Sequence, residues 1–105
     1  MRILFDQGTP APLRSFLPKH LVRTCYEQGW STLKNGELIL AAETQFDVLI
    51  TTDQKLNNEQ NLSLHRLAIL VLPYTSWPRL RDHAAKIASA VDRLSSGSYI
   101  ELDLG

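Results

Sequence analysis

Met1-Arg2-Ile3-Leu4-Phe5-Asp6 and Asp47-Val48-Leu49-Ile50-Thr51-Thr52-Asp53 are apolar runs that each end in an aspartate. In an open α/β sheet, ligands bind in the crevice outside the carboxyl ends of the strands. If these two strands are neighbours, Asp6 and Asp53 are expected side by side there. Adjacent carboxylates repel each other unless a cation or a shared proton separates them. Hard oxygen donors suit Mg2+ or Mn2+, which keep several waters and take phosphate oxygens as further ligands. Such an ion activates water and stabilises charge developing on phosphorus.

Glu37 is the third candidate ligand. It falls in the first turn of an expected helix, where a carboxylate also meets the helix dipole favourably. The preceding loop, Ser31 to Asn35, is expected to bring it over the same crevice. Each aspartate has a structural alternative: Asp6 bonding the amides of Gly8 or Thr9, and Asp53 capping a turn from Lys55 to Asn58. Asp47 lies at the other end of its strand, roughly 20 Å from Asp53 at ordinary strand rise, and reads as a surface charge. Glu43, farther along the helix, reads the same way. His20, His65 and His83 are scattered singly, without zinc-site spacing. Cys25 is the only cysteine, so an internal disulfide is excluded. It reads as a buried structural thiol and fits a reducing cytoplasm.

The elements that must position these residues alternate between strand and helix. Arg2 to Phe5 reads as a strand buried on both faces. Pro10 and Pro12 lead into a short helix, Leu13 to Leu17, ended by Pro18. His20 to Tyr26 is expected as a second strand of mixed polarity, closed by Gly29. Asn35 is expected to cap a helix from Gly36 to about Gln45. Val48 to Thr52 is the third strand. Asn57 or Asn58 starts a short helix through Leu64, and Leu67 to Leu72 is the fourth strand. Ser76 caps a long helix with Leu80, Ala84, Ile87, Val91 and Leu94 on one face. Tyr99 to Leu104 alternates, as a short edge strand or docked tail would. The expectation is a single α/β domain, residues 1–105, with a three-layer parallel sheet of order 2-1-3-4 and a C-terminal edge strand. The order reverses between strands one and three, which places Asp6 and Asp53 at the switch point.

Composition bounds the function. The 105-residue chain has eleven basic and eleven acidic side chains, which argues against an extended phosphate-binding surface. Its 44% hydrophobic and 21% charged residues are those of a globular protein. No apolar run approaches the roughly 18 residues of a membrane span, and no signal-peptide pattern opens the chain. A cytoplasmic location and no membrane partner are expected.

With these residues in view, the chain resembles the PIN-like family, the metal-dependent ribonuclease fold of many bacterial toxin–antitoxin toxins. More closely, it is similar to a short bacterial PIN-like subgroup. The likeness is carried by Arg2-Ile3-Leu4-Phe5-Asp6-Gln7, Asn35-Gly36-Glu37-Leu38 and Leu49-Ile50-Thr51-Thr52-Asp53. The Asn-rich stretch from Gln54 to Leu62 and the strand from Leu67 to Pro73 extend it over nearly the whole chain. The resemblance implies a first-strand aspartate, a helix acid and a Thr-x-Asp aspartate as catalytic, metal-holding residues, which match Asp6, Glu37 and Asp53. It further implies Mg2+ or Mn2+ as cofactor, RNA as substrate, a small antitoxin partner for a toxin, and homodimerisation. Two departures stand out. Relatives often carry an acid where this chain has Gln7, and a second acid where it has Lys55. Both lower the negative charge available for metal and weigh against a two-metal site.

Gln7, Thr51 or Thr52 is expected to orient the carboxylates. Lys55 has two readings, a contact to a scissile phosphate and a solvated lysine. Trp30 and Trp77 invite a base-stacking reading, set against packing for Trp77 and a loop position for Trp30. Arg79, Arg81, Lys86 and Arg93 read as a solvated helix face paired with Asp82 and Asp92. The leading expectation is a metal-dependent endoribonuclease. The alternative is a catalytically degenerate PIN-like module that binds RNA or protein. A receiver-type signalling domain stands third, because paired acids after strand one and a lysine-proline after a fifth strand are missing.

Overall fold

The computed structural model describes residues 1–56 and 66–105. The helix expected from Asn57 or Asn58 to Leu64, and with it His65, lies outside the described residues. Five strands form one parallel sheet: β1 (Arg2–Phe5), β2 (Leu21–Thr24), β3 (Val48–Thr51), β4 (Ala68–Val71) and β5 (Tyr99–Glu101). Their order is β2-β1-β3-β4-β5, and every neighbouring pair is parallel. The expected order of the first four strands and the C-terminal edge strand both hold.

Continuous apolar runs form the central strands because both sheet faces are covered. Successive side chains point to opposite faces, and the core divides accordingly. Ile3, Phe5, Val48, Ile50, Ala68 and Leu70 face one layer, packing with Leu13, Leu17, Leu80, Ile87 and Val91. Leu4, Leu49, Ile69 and Val71 face the other, packing with Cys25, Leu38, Ile39, Ala42 and Phe46.

The first layer consists of a 3₁₀ helix (Ala11–Phe16) and two later helices. The second contains helices α1 (Cys25–Gln28) and α2 (Asn35–Gln45). The second strand is shorter than its composition suggests. It stops at Thr24, whose hydroxyl accepts from the Glu27 N–H at 3.1 Å, while Glu27 Oε1 accepts from the Thr24 N–H at 2.9 Å. This reciprocal cap starts α1, and Gly29, at φ +76°, ends it in the left-handed conformation that glycine adopts without strain. Helix α2 begins at Asn35 with Lys34 as its N-cap, one residue ahead of expectation.

The long C-terminal helix is two helices, α3 (Trp77–Arg81) and α4 (Ala84–Asp92). His83 leaves helical geometry at φ −115°, ψ 15°, and its N–H donates to the Leu80 carbonyl at 2.9 Å in a tightened turn. Leu80, Ala84, Ile87 and Val91 are nevertheless all buried, so the periodic stripe survives the break and conceals it. Ser76 holds the N-cap position but makes no capping bond with its side chain. Among the described residues no helix is long and apolar enough to cross a membrane.

Ile50 is fully buried at the centre of the sheet, whereas Leu40 on α2 is 63% exposed. Ile50→Ala should therefore cost ~2–5 kcal/mol. Leu40→Ala should stay within ~0.5 kcal/mol of wild type. Urea denaturation measures both; equal losses would contradict this assignment of the core.

Candidate acidic site

Pairing of β1 with β3 aligns Phe5 with Ile50. One step further along, Asp6 stands beside Thr51, the last residue of β3, and Asp53 follows two residues later in the chain. The two aspartates therefore follow the carboxyl ends of adjacent strands, with Thr51 bonded to both rather than the carboxylates directly abreast. Thr51 is buried. Its hydroxyl donates to Asp6 Oδ2 and accepts from the Asp53 N–H at 3.0 Å.

The other Asp6 oxygen, Oδ1, accepts from the Gly8 N–H at 3.2 Å and from the Thr9 hydroxyl at 2.8 Å. The buried Thr9 hydroxyl also lies 2.9 Å from the Ile50 carbonyl, to which the Asp6 N–H donates at 3.1 Å. Asp6 is thus clamped to β3 by main chain and side chain together. Thr9 was not among the expected site residues, although an Asp-x-x-Thr spacing inside a Gly/Pro turn signals such a motif.

All these donors are neutral, and among the described residues Asp6 has no cationic partner. Burial is the largest influence on its carboxyl and pushes the pKa up, opposed by the hydrogen bonds from Thr51, Thr9 and Gly8. A carboxylate that is desolvated without a counter-charge is costly. The cost extends to its surroundings: burial first, and then the Asp6 charge, push the Cys25 thiol up to about 11. Cys25 therefore stays protonated at neutral pH and acts as a packing residue, as expected.

Asp53 Oδ1 accepts from the Lys55 N–H at 2.9 Å, the start of the turn-capping alternative; the rest of the expected turn, Asn57 and Asn58, lies outside the described residues. Lys55 is exposed. Thr52 is half-buried, and a Cβ added to Gly8 would collide with its hydroxyl and lie 3.9 Å from Asp6 Oδ1. The bare glycine therefore lets the Thr52 hydroxyl and the Asp6 carboxylate border one small space. Gln7 does not orient a carboxylate. Its Nε2 donates to the Ser31 carbonyl at 3.2 Å, tying the turn after β1 to the loop that leads into α2. Glu37 is exposed at the start of α2, and its Oε1 accepts from the Lys34 N–H at 3.2 Å. The capping role that its position permits is the one it performs.

Among the described residues no group of three or more His, Cys, Asp or Glu side chains could hold a metal ion. Glu37 therefore does not complete a triad with the two aspartates. The donors around Asp6 still suit a hard cation by their chemistry. They are carboxylate and hydroxyl oxygens, and Mg2+ is commonly held by one or two carboxylates plus waters.

The remaining candidates lie elsewhere. Asp47 accepts from the Arg2 N–H at 2.8 Å at the opposite end of the sheet. Glu43 is half-buried rather than a plain surface charge and accepts from the Arg66 N–H. His20 sits 3.1 Å from both the Met1 amine and Asp92 Oδ1, so Asp92 pairs with histidine instead of an arginine of its own helix. Trp30 packs edge-on against Phe46 at 6.0 Å.

No family model, no curated protein and no solved structure matches the chain.

The Asp6 environment has a pH signature. A carboxyl raised by folding adds stability that is fully present below its unfolded pKa, 3.8. That stability is lost as pH rises through the folded value. The unfolding free energy of wild type minus that of Asp6→Asn should therefore fall as pH is raised from below 3.8 to neutrality. Urea titrations at several pH values measure the difference. A flat or rising difference would contradict the desolvated state of Asp6.

Proposed function

We propose that the crevice at Asp6 and Asp53 binds a single divalent cation and that the protein hydrolyses RNA phosphodiesters there, as the resemblance to PIN-like ribonucleases implies. The observation that supports this reading is the uncompensated Asp6 carboxylate. It is partly desolvated, fixed by three neutral donors and lacks a cationic partner among the described residues. Carboxyls perturbed by burial cluster at functional sites.

Asp6 and Asp53 would hold the ion, with the Thr52 hydroxyl bordering the space. When bound, Mg2+ or Mn2+ supplies neutralisation of phosphate charge and a lowered pKa for its water. The chain itself supplies position. Thr51 fixes the Asp6 carboxylate and the Asp53 main chain with one hydroxyl. Thr9 and Gly8 hold the second Asp6 oxygen, so no rotamer search precedes binding. The exposed Lys55 ammonium follows Asp53 by two residues and can meet a phosphate as a point charge. A toxin role with a small antitoxin partner, and a homodimer, belong to the same proposal.

A second reading is favoured by one observation. Glu37 serves its own helix start, and no three-acid group exists among the described residues. With Gln7 and Lys55 standing where acids are common in the family, the chain would then be a PIN-like module that binds RNA or protein without cutting it.

Calorimetric titration with Mn2+ separates the two. The enzyme reading expects one ion per chain, binding abolished in Asp6→Asn and Asp53→Asn, and affinity lowered roughly 10–100-fold in Thr51→Val. Mg2+-dependent cleavage of a single-stranded RNA should disappear with Asp6→Asn. Carboxylate-independent Mn2+ binding, or none, would establish the non-catalytic reading instead.

A further inference from the structure

We propose that the open groove between the 3₁₀ helix and α3 is a stacking subsite for an unpaired base of single-stranded RNA, with Trp77 as its platform. This rests on the reading of the acidic crevice as a phosphodiester site and extends it to a neighbouring nucleotide. The groove measures ≈ 660 Å³ and is lined by Ala11, Pro12, Arg14, Ser15 and Trp77.

Trp77 is half-buried. It packs against the core behind it and meets the Phe16 ring at 5.7 Å and 49°. The indole is thus held in place by packing while part of it remains open to the groove. A rigid aromatic surface loses little entropy when a base stacks on it, and every base has a face to offer. Ala11 and Pro12 add apolar walls without polar groups that a base would leave unpaired.

Of the groove's own lining only Arg14 is charged, and Glu27 pairs with it; the arginines of α3 are what favour a nucleic acid over neutral flat ligands. The 3₁₀ helix and α3 carry Arg14, Arg79 and Arg81 and no acidic residue, within a chain of zero net charge. Arg14 is bound by both Glu27 oxygens, at 2.9 and 3.1 Å. Arg79 is exposed and its guanidinium carbon lies 3.7 Å over the Tyr74 ring, a cation–π contact. Arg81 is exposed.

Position links the groove to the crevice. Ala11 follows by two residues Thr9, whose hydroxyl donates to Asp6. Both elements lining the groove leave the carboxyl ends of strands, β1 and β4, as the acidic crevice itself does. A strand with one phosphate at Asp6 would continue along this rim.

The test uses fluorescence in EDTA, so it does not depend on the cation site. Trp30→Phe leaves Trp77 as the only tryptophan. Oligoadenylate should quench its emission, and the affinity should fall with salt as phosphate contacts require. Trp77→Leu, checked for folding by thermal melting, should weaken oligoadenylate binding, measured by anisotropy of a labelled strand, roughly 5- to 150-fold. Arg81→Glu should weaken it at low salt without altering the fold. Absence of quenching in Trp30→Phe overturns the proposal even if Trp77→Leu does not fold. Quenching by a proline-rich peptide but by no oligonucleotide overturns it as well. Quenching without any metal-dependent cleavage leaves the groove standing and counts against the acidic site alone.

Discussion

A carboxylate at the end of a strand buried on both faces has to be held by something. At Asp6 the holding is done by neutral hydrogen-bond donors alone. Thr51 reaches one oxygen, and Gly8 and Thr9 the other. Hydrogen bonds to a charged acceptor are stronger than neutral ones. Three of them fix the group but do not cancel its charge. Burial raises the Asp6 carboxyl against those hydrogen bonds, and burial first and the Asp6 charge second raise the Cys25 thiol.

The clamp depends on the pairing of β1 with β3. Ile3, Leu4 and Phe5 align with Val48, Leu49 and Ile50, and each side chain is committed to one of two cores. A slip of one residue would exchange the faces of the whole strand. It would also move Thr51 away from Asp6 and take the Thr9 hydroxyl from the Ile50 carbonyl. The packing of both layers is therefore what keeps a hydroxyl beside the carboxylate. Gln7 carries the same order outward by joining the turn after β1 to the loop before α2.

Departures from the sequence reading have local explanations. The Thr24-x-x-Glu27 capping box was present in the sequence. Cys25 and Tyr26 extend an apolar pattern through it, and strand propensity obscured the helix start. The break at His83 left no sequence mark, because Leu80, Ala84, Ile87 and Val91 keep their burial across it. Arg79 is exposed, as a solvated face requires, but its contact is with Tyr74, which precedes the helix and meets it only through the bend of the chain.

Apolar runs, and the residues that stop them, determined the alternation of strands and helices, the parallel order and the arrival of both aspartates at one edge. These follow from burial on two faces and from the handedness of crossovers, which composition and spacing already express. Tertiary structure alone decided that Thr51 stands beside Asp6, with its hydroxyl bonded to both Asp6 and the Asp53 N–H, and that the Glu37 carboxylate bonds the Lys34 N–H at its own helix start. Register is set by pairing between segments far apart in the chain. A side chain able to cap or to ligate does whichever its nearest donor allows, and that donor is known only once the chain has folded.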